Sequence, residues 1–175
     1  MILFRKATSE DIPAISRIYT HIHQAEEAGE MVIGWKRGVY PTRQTAYKAV
    51  KRDDMFVETD ESGTVVGAAI INQKQVDTYR FGKWRFPAED NEVMVLHTLV
   101  IEPSEKGKGY GKAFVKFYED YALQNGCHYL RMDTNERNTA VRKIYAHLGY
   151  EEADILPCTF NGLEGVNLVC LEKKI

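Results

Sequence analysis

The chain is expected to form a mixed α/β layer fold, one sheet with helices packed against it, as a single domain over residues 1–175. Three observations predict this. Its 175 residues fall within the roughly 100–200 that one domain usually takes. Strand-like and helix-like segments follow in the order βα(α)ββ–βαβα–ββ, which is the signature of a layered α/β structure. Val93 to Ile101 is nearly apolar throughout, broken only by His97 and Thr98, as expected of a central strand covered on both faces.

Ile2 to Ala7 reads as the first strand. Thr8 with Asp11 three residues on resembles a capping box, with Asp in place of Glu or Gln. Ile12, Ile15, Tyr19 and Ile22 then mark one face of a helix. Glu26 to Tyr40 is irregular, with Gly29, Gly34, Gly38 and Trp35, and Thr42 to Lys51 is a second helix. Met55 to Thr59 and Thr64 to Asn72 form a hairpin across the Asp60-Glu61-Ser62-Gly63 turn. Gln75 to Asp90 is a polar and aromatic loop. After the Val93–Ile101 strand, ended by Pro103, comes a glycine-rich turn. A long helix follows, carrying Tyr110, Phe114, Phe117, Tyr118 and Tyr121 and closed by Gly126. Tyr129 to Asp133 is a short strand. Asn138 caps a helix with Val141, Ile144, Tyr145 and Leu148 on its apolar side and Gly149 at its C-terminal end. Tyr150 to Leu156 and Val166 to Glu172 are strands flanking an Asn161-Gly162 turn.

Composition excludes several classes. Lys plus Arg number 23 and Asp plus Glu 25, for a net charge of −2, so the basic footprint of a nucleic-acid binder is missing. With 44% hydrophobic and 27% charged residues the chain is neither disordered nor fibrous. No stretch of about 18 apolar residues marks a membrane span, and the start, Met1 to Lys6, lacks the order of a signal peptide. Cys127, Cys158 and Cys170 are scattered, with no CxxC pair. They read as reduced thiols in a cytoplasmic protein without a metal site.

The chemistry concentrates in Leu99-Val100-Ile101-Glu102-Pro103-Ser104-Glu105-Lys106-Gly107-Lys108-Gly109-Tyr110-Gly111-Lys112. An apolar strand enters alternating glycines and then a helix. The first turn of a helix has N–H groups without partners and a partial positive charge. Glycines let a phosphate approach that backbone, and Lys106, Lys108 and Lys112 add charge. A Walker A loop is excluded because Gly111-Lys112 is followed by Ala113, not Ser or Thr. The Gly-x-Gly-x-Gly spacing also departs from the Gly-x-Gly-x-x-Gly of dinucleotide folds.

Lys106-x-x-Gly109-x-Gly111 resembles the pyrophosphate-binding signature Arg/Gln-x-x-Gly-x-Gly/Ala of the GCN5-related N-acetyltransferases (GNAT). Asn138 through Val141, Tyr145 and Gly149-Tyr150 resembles that family's Asn-x-x-Ala-x-x-x-Tyr-x-x-x-Gly-Phe/Tyr segment, although Ala140 lies two rather than three places after Asn138. Lys106 stands where Arg or Gln is usual and keeps a donor. The resemblance covers residues 93–151 by motif and the rest by order of elements. It implies a single mixed, mostly antiparallel twisted sheet of about seven strands with helices on both faces and a splayed parallel pair at its centre.

The resemblance also implies a reaction: direct transfer of an acetyl group from acetyl-CoA, a co-substrate, to a primary amine of a small molecule or peptide. The pantetheine arm would pair with the backbone of Leu99, Val100 and Ile101. The pyrophosphate would lie on Lys106, Gly107, Lys108, Gly109, Tyr110, Gly111 and Lys112. Asn138 would bond the cofactor arm or cap its helix. Tyr145 would touch the cofactor and protonate the leaving thiolate. His97 is the first candidate for general base, by strand parity and an imidazole suited to neutral pH, and Glu92 is the second. The acceptor side would come from Glu26 to Tyr40 and Leu156 to Gly165, with Gln75 to Asp90 as a flap. Glu26, Glu27 and Glu30 are candidate attractors of a cationic amine. Trp35, Tyr40, Trp84 and Phe86 are candidates either for cleft walls or for core packing. No metal, nucleic-acid or membrane partner is expected, and the protein is expected to be a monomer or homodimer. The alternative is a non-catalytic acyl-CoA-binding sensor or interaction domain on the same fold.

Overall fold

The computed structural model describes residues 3–175. The strand start expected at Ile2 therefore lies outside the described residues. Seven strands and four α-helices follow in order: β1 Leu3–Lys6, α1 Ile12–Glu27, α2 Arg43–Lys51, β2 Met55–Thr59, β3 Val65–Asn72, β4 Val93–Ile101, α3 Tyr110–Gln124, β5 Tyr129–Asn135, α4 Thr139–His147, β6 Glu151–Phe160 and β7 Leu163–Lys174. The strands make one mixed sheet in the order β1-β2-β3-β4-β5-β7-β6, flanked by helices. The β1–β2, β2–β3, β5–β7 and β6–β7 pairs are antiparallel, and β4–β5 is parallel. The fold class expected from the sequence is the one observed.

Local chemistry explains the element ends. Asp11 accepts the Thr8 backbone N–H at 2.8 Å and is gripped by both Arg5 guanidinium nitrogens, at 2.7 and 2.8 Å. Thr45 Oγ1 accepts the Thr42 N–H at 3.0 Å at the head of α2. Asp60 Oδ1 takes the N–H groups of Ser62 and Thr64, both at 2.9 Å, and so closes the β2–β3 turn. Asn161 and Gly162 both have positive φ, 52° and 76°, as a tight hairpin turn requires. β7 runs past the expected strand at both ends and β6 past its C-terminal end, because the β6–β7 ladder continues to Phe160–Leu163 and β5 pairs with β7 as far as Lys174.

The described chain divides into two compact units. The first comprises the chain through Met31, Trp35–Ile71 and His97–Tyr118. Its interior holds Ile15, Ile18, Tyr19 and Ile22 of α1, all buried. Phe4 stacks on Phe117 at 4.7 Å and meets Phe114 edge-on at 5.4 Å. The second comprises Val32–Gly34, Asn72–Leu96 and Glu119–Ile175. Tyr79, Val93, Val95, Val166, Leu168 and Cys170 form its buried cluster. One expectation fails there: of the apolar side of α4, Tyr145 is buried but Ile144 is 52% exposed. A nine-residue helix has one narrow buried line, and Tyr145 occupies it.

Among the described residues no helix is long and apolar enough to cross a membrane. No group of three or more His, Cys, Asp or Glu is placed to hold a metal ion there. The three cysteines are free thiols.

Candidate active site

The predicted site residues fall into both units. The first holds His97, Leu99, Val100, Ile101 and the turn from Lys106 to Lys112, and the second holds Glu92, Asn138 and Tyr145.

In the first unit β4 ends at Ile101, and Glu102 N–H bonds Val66 C=O at 2.8 Å. A short turn over Pro103–Glu105 leads to Gly107 and Gly109, whose φ values are 84° and 89°. L-residues with side chains rarely adopt that conformation, so the reversal requires glycine at both. Gly111 differs. Its φ is ordinary, and an added Cβ would meet only Ile101 Cγ1, at 3.6 Å. The chain's own packing has no need of glycine there, whereas a ligand lying on the backbone does.

α3 begins at Tyr110, and its first backbone bond runs from Ala113 N–H to Gly109 C=O at 3.0 Å. The N–H groups of Tyr110, Gly111 and Lys112 thus lack acceptors within the helix. Lys106, Lys108 and Lys112 are exposed. Lys108 pairs with Glu105 at 2.8 Å. The turn offers donors, helix-end positive charge and cations together, and so suits a diphosphate.

One feature of β4 escapes sequence reasoning. Thr98 has φ of 52°, strained for a β-branched residue. Its hydroxyl is bonded to Tyr40 Oη, and Tyr40 meets Trp35 edge-on at 5.9 Å. The left-handed Thr98 interrupts the regular strand backbone between His97 and Leu99. His97 is half-buried. The expected acidic attractor Glu27 is engaged by Arg37 through two 2.8 Å bonds, which hold its carboxyl below the usual range.

In the second unit Asn138 caps α4, its side chain accepting the Val141 N–H at 3.4 Å. Tyr145 is 8% exposed and packs against Tyr150 at 5.9 Å. Burial, and then the charge of Asp133, hold its phenol protonated well above the ordinary range. Glu92 lies in a short turn before β4, where its carboxylate accepts the Glu89 N–H at 2.9 Å. It also lines a cavity of 680 Å³ with Gln75, Tyr79, Trp84 and Arg131.

The Gln75–Asp90 segment, expected as a flap, is pinned down. Buried Glu172 accepts the N–H groups of Arg85 and Phe86 at 2.6 and 3.2 Å. Arg131 donates to Gln75 and to Phe86 C=O and lies 4.1 Å over the Trp84 ring. Trp84 is half-buried and packs edge-on against Tyr79 at 5.1 Å.

Asp133 also escaped the sequence reading. The Tyr79 hydroxyl donates to its Oδ2 at 2.6 Å. Burial pushes the carboxyl up to about 6, and the Tyr79 hydrogen bond opposes that rise. Burial first, and the Asp133 charge in addition, raise Tyr145, Cys158 and Cys170. A single Asp within a strand leaves no mark in the sequence. Only the packing of Tyr79 and α4 around it makes it conspicuous.

The sequence model of the acetyltransferase (GNAT) family matches residues 14–150. The L-methionine sulfoximine/L-methionine sulfone acetyltransferase of Salmonella typhimurium is 25% identical over 157 residues, 87% of this chain and 82% of that protein. The uncharacterized N-acetyltransferase YhfO of Bacillus subtilis is 35% identical over 60 residues, 34% of this chain. The matched stretch spans 40% of YhfO's length, and a similar match spans 32% of N-acetyltransferase MJ1207 of Methanocaldococcus jannaschii. Among solved structures, a GNAT-family acetyltransferase from Streptococcus agalactiae superposes with a TM-score of 0.83 at 21% identity, covering 99% of this chain and 95% of that one. The yncA protein of Salmonella typhimurium, solved with acetyl-CoA, gives 0.69 at 18% identity over 99% and 94%. At these identities the two structures establish a shared fold.

Proposed function

The chain belongs to the acetyltransferase (GNAT) family, and on that premise we propose that it is an acetyl-CoA-dependent N-acetyltransferase acting directly on a primary amine of a small molecule or peptide. The observation that carries this is the turn after β4: two glycines that need positive φ, a third that packing does not require, and first-turn N–H groups of α3 without helix acceptors. The backbone from Gly107 to Lys112, with Lys106, holds the diphosphate, and Leu99 to Ile101 offers main-chain groups to the pantetheine arm. Bound acetyl-CoA supplies an activated acyl carbon. Tyr145 keeps its proton through burial and delivers it where negative charge develops on the leaving sulfur. Asn138 fixes the start of α4 and with it the height of Tyr145. His97 is the first-unit candidate for the base. Glu92 is the weaker one, since its carboxylate already caps a turn.

The test separates the ligand site from the scaffold. Gly111→Ala has room for its methyl and should leave folding intact or stabilise it by roughly 0.5–1 kcal/mol, the helix preference for Ala over Gly. Calorimetry should show its affinity for coenzyme A at least ten-fold weaker than that of the parent. Unchanged affinity would remove the turn from the cofactor site. Turnover is read as coenzyme A release with a thiol reagent, against L-methionine sulfoximine, L-methionine sulfone, an aminoglycoside, spermidine and peptides with free N-termini. Binding of coenzyme A without release for any amine would favour a non-catalytic acyl-CoA sensor.

A further inference from the structure

We propose that Asp133 is the residue that takes the proton from the acceptor amine, with Tyr79 as the positioning residue that holds its carboxylate; this rests on the acetyltransferase reading. The parallel ladder between β4 and β5 ends at Leu96–Met132, so Asp133 is the first β5 residue beyond it. Its Oδ2 is fixed by Tyr79 Oη at 2.6 Å. Its Oδ1 takes no hydrogen bond among the described residues, and the side chain keeps part of its surface accessible.

The titratable groups that face it are Tyr79 from the 77–81 turn, Tyr145 from α4, Cys158 from β6 and Cys170 from β7. Among the described residues no Lys or Arg is paired with it. A largely desolvated carboxylate without a cationic partner is costly, and an incoming ammonium group supplies that partner. Asp133 therefore selects a cationic amine as well as deprotonating it.

The two ionisable groups are also tuned apart, as acid and base of one reaction should be. Burial brings Asp133 up to about 6, close to neutral working pH, while Tyr145 is held protonated. In the step, Asp133 first takes a proton from the bound ammonium and passes it to solvent; the lone pair of the resulting neutral amine then forms the C–N bond, and Asp133, ionised again, receives the second N–H proton. The thioester C–S bond breaks with its electron pair going to sulfur, and Tyr145 gives sulfur its hydroxyl proton. The proton on Asp133 returns to the Tyr145 oxygen through solvent, and nothing is oxidised or reduced.

The experiment is the pH dependence of kcat/KM for the full chain, Asp133→Asn, Tyr79→Phe and His97→Ala, using acetyl-CoA and the amine of the panel turned over fastest. The parent should show an ascending limb near pH 6. Asp133→Asn should lose that limb and about a hundred-fold in kcat, the usual contribution of a general base, with coenzyme A affinity unchanged by calorimetry. Tyr79→Phe should keep the limb but move it to higher pH, since the hydrogen bond that stabilises the carboxylate is gone. A structural role for Tyr79 would change the amplitude without moving the limb. Because an unperturbed His also titrates near 6.5, loss of the limb in His97→Ala with its retention in Asp133→Asn would overturn the proposal. A parent that binds coenzyme A but acetylates no amine would overturn the transferase reading itself, and the role of Asp133 with it.

Discussion

Tyr145→Phe is expected to lower kcat by about 10²–10⁴-fold, the range that a positioned proton donor supplies, while coenzyme A affinity stays within two-fold of the parent (about 0.4 kcal/mol). The change removes one oxygen and keeps the ring. Tyr145 is 8% exposed and packed against Tyr150 at 5.9 Å, so the phenylalanine fills the same space and α4 keeps its cap at Asn138. A loss of coenzyme A binding would mean that Tyr145 is part of the cofactor's seat rather than a proton donor. Retention of full turnover, measured as coenzyme A release with the best acceptor, would mean that the leaving thiolate takes its proton elsewhere. The donor must be protonated throughout the working range. Two influences ensure it, burial of the phenol and the nearby negative charge of Asp133.

Much of this fold is legible in the sequence because its signals are local. Near-continuous apolarity marks Val93–Ile101 as a central strand, and it stands fourth of seven in the sheet. Gly107 and Gly109 announce a left-handed reversal, and Asn138 announces a helix start. The features that were not legible depend on distant residues. Thr98 reads as an ordinary strand residue, and only its bond to Tyr40, 58 positions away in the chain, accompanies its left-handed backbone. The Gln75–Asp90 segment reads as a polar and aromatic loop, for which the family resemblance implies a flap, yet Glu172 and Arg131 tie it down from β7 and β5. Asp133 is a plain acidic residue until Tyr79, 54 positions away, is folded onto it. Ile144 errs in the other direction. Helical spacing places it beside Tyr145, but spacing cannot say which of two neighbouring apolar residues a short helix will bury.

Glu58→Gln should abolish a fall in stability between pH 5 and 8.5. Glu58 lies on β2 in register between Phe4 and Gly67. It is fully buried, and neither carboxyl oxygen has a hydrogen-bond partner among the described residues. Its Oε2 lies where it would be 3.0 Å from a Cβ at Gly67, and Ile101 Cδ1 and Phe114 Cδ2 border the same point at 2.7 and 3.4 Å. Glycine at 67 is thus what leaves space for the carboxyl.

Desolvation pushes Glu58 up to about 8, from an ordinary 4.5. A group whose affinity for its proton rises on folding contributes stability below its unfolded pKa and loses that contribution as pH climbs through its folded one. The folded protein should therefore lose stability from about pH 5 upward, levelling beyond pH 8, by a total on the order of 3–5 kcal/mol. Glutamine keeps the shape and cannot ionise, but it leaves an amide without partners at an apolar site, a penalty of about 1–3 kcal/mol. The two stability curves should consequently cross. The parent is the more stable protein at pH 5, and the variant is the more stable at pH 8.5. Urea unfolding at the two pH values measures this directly, and parallel pH dependences in parent and variant would show that Glu58 does not titrate in this range. Ile101 and Phe114 anchor the strand and helix on either side of the glycine turn. The carboxyl beneath them couples that anchorage to pH.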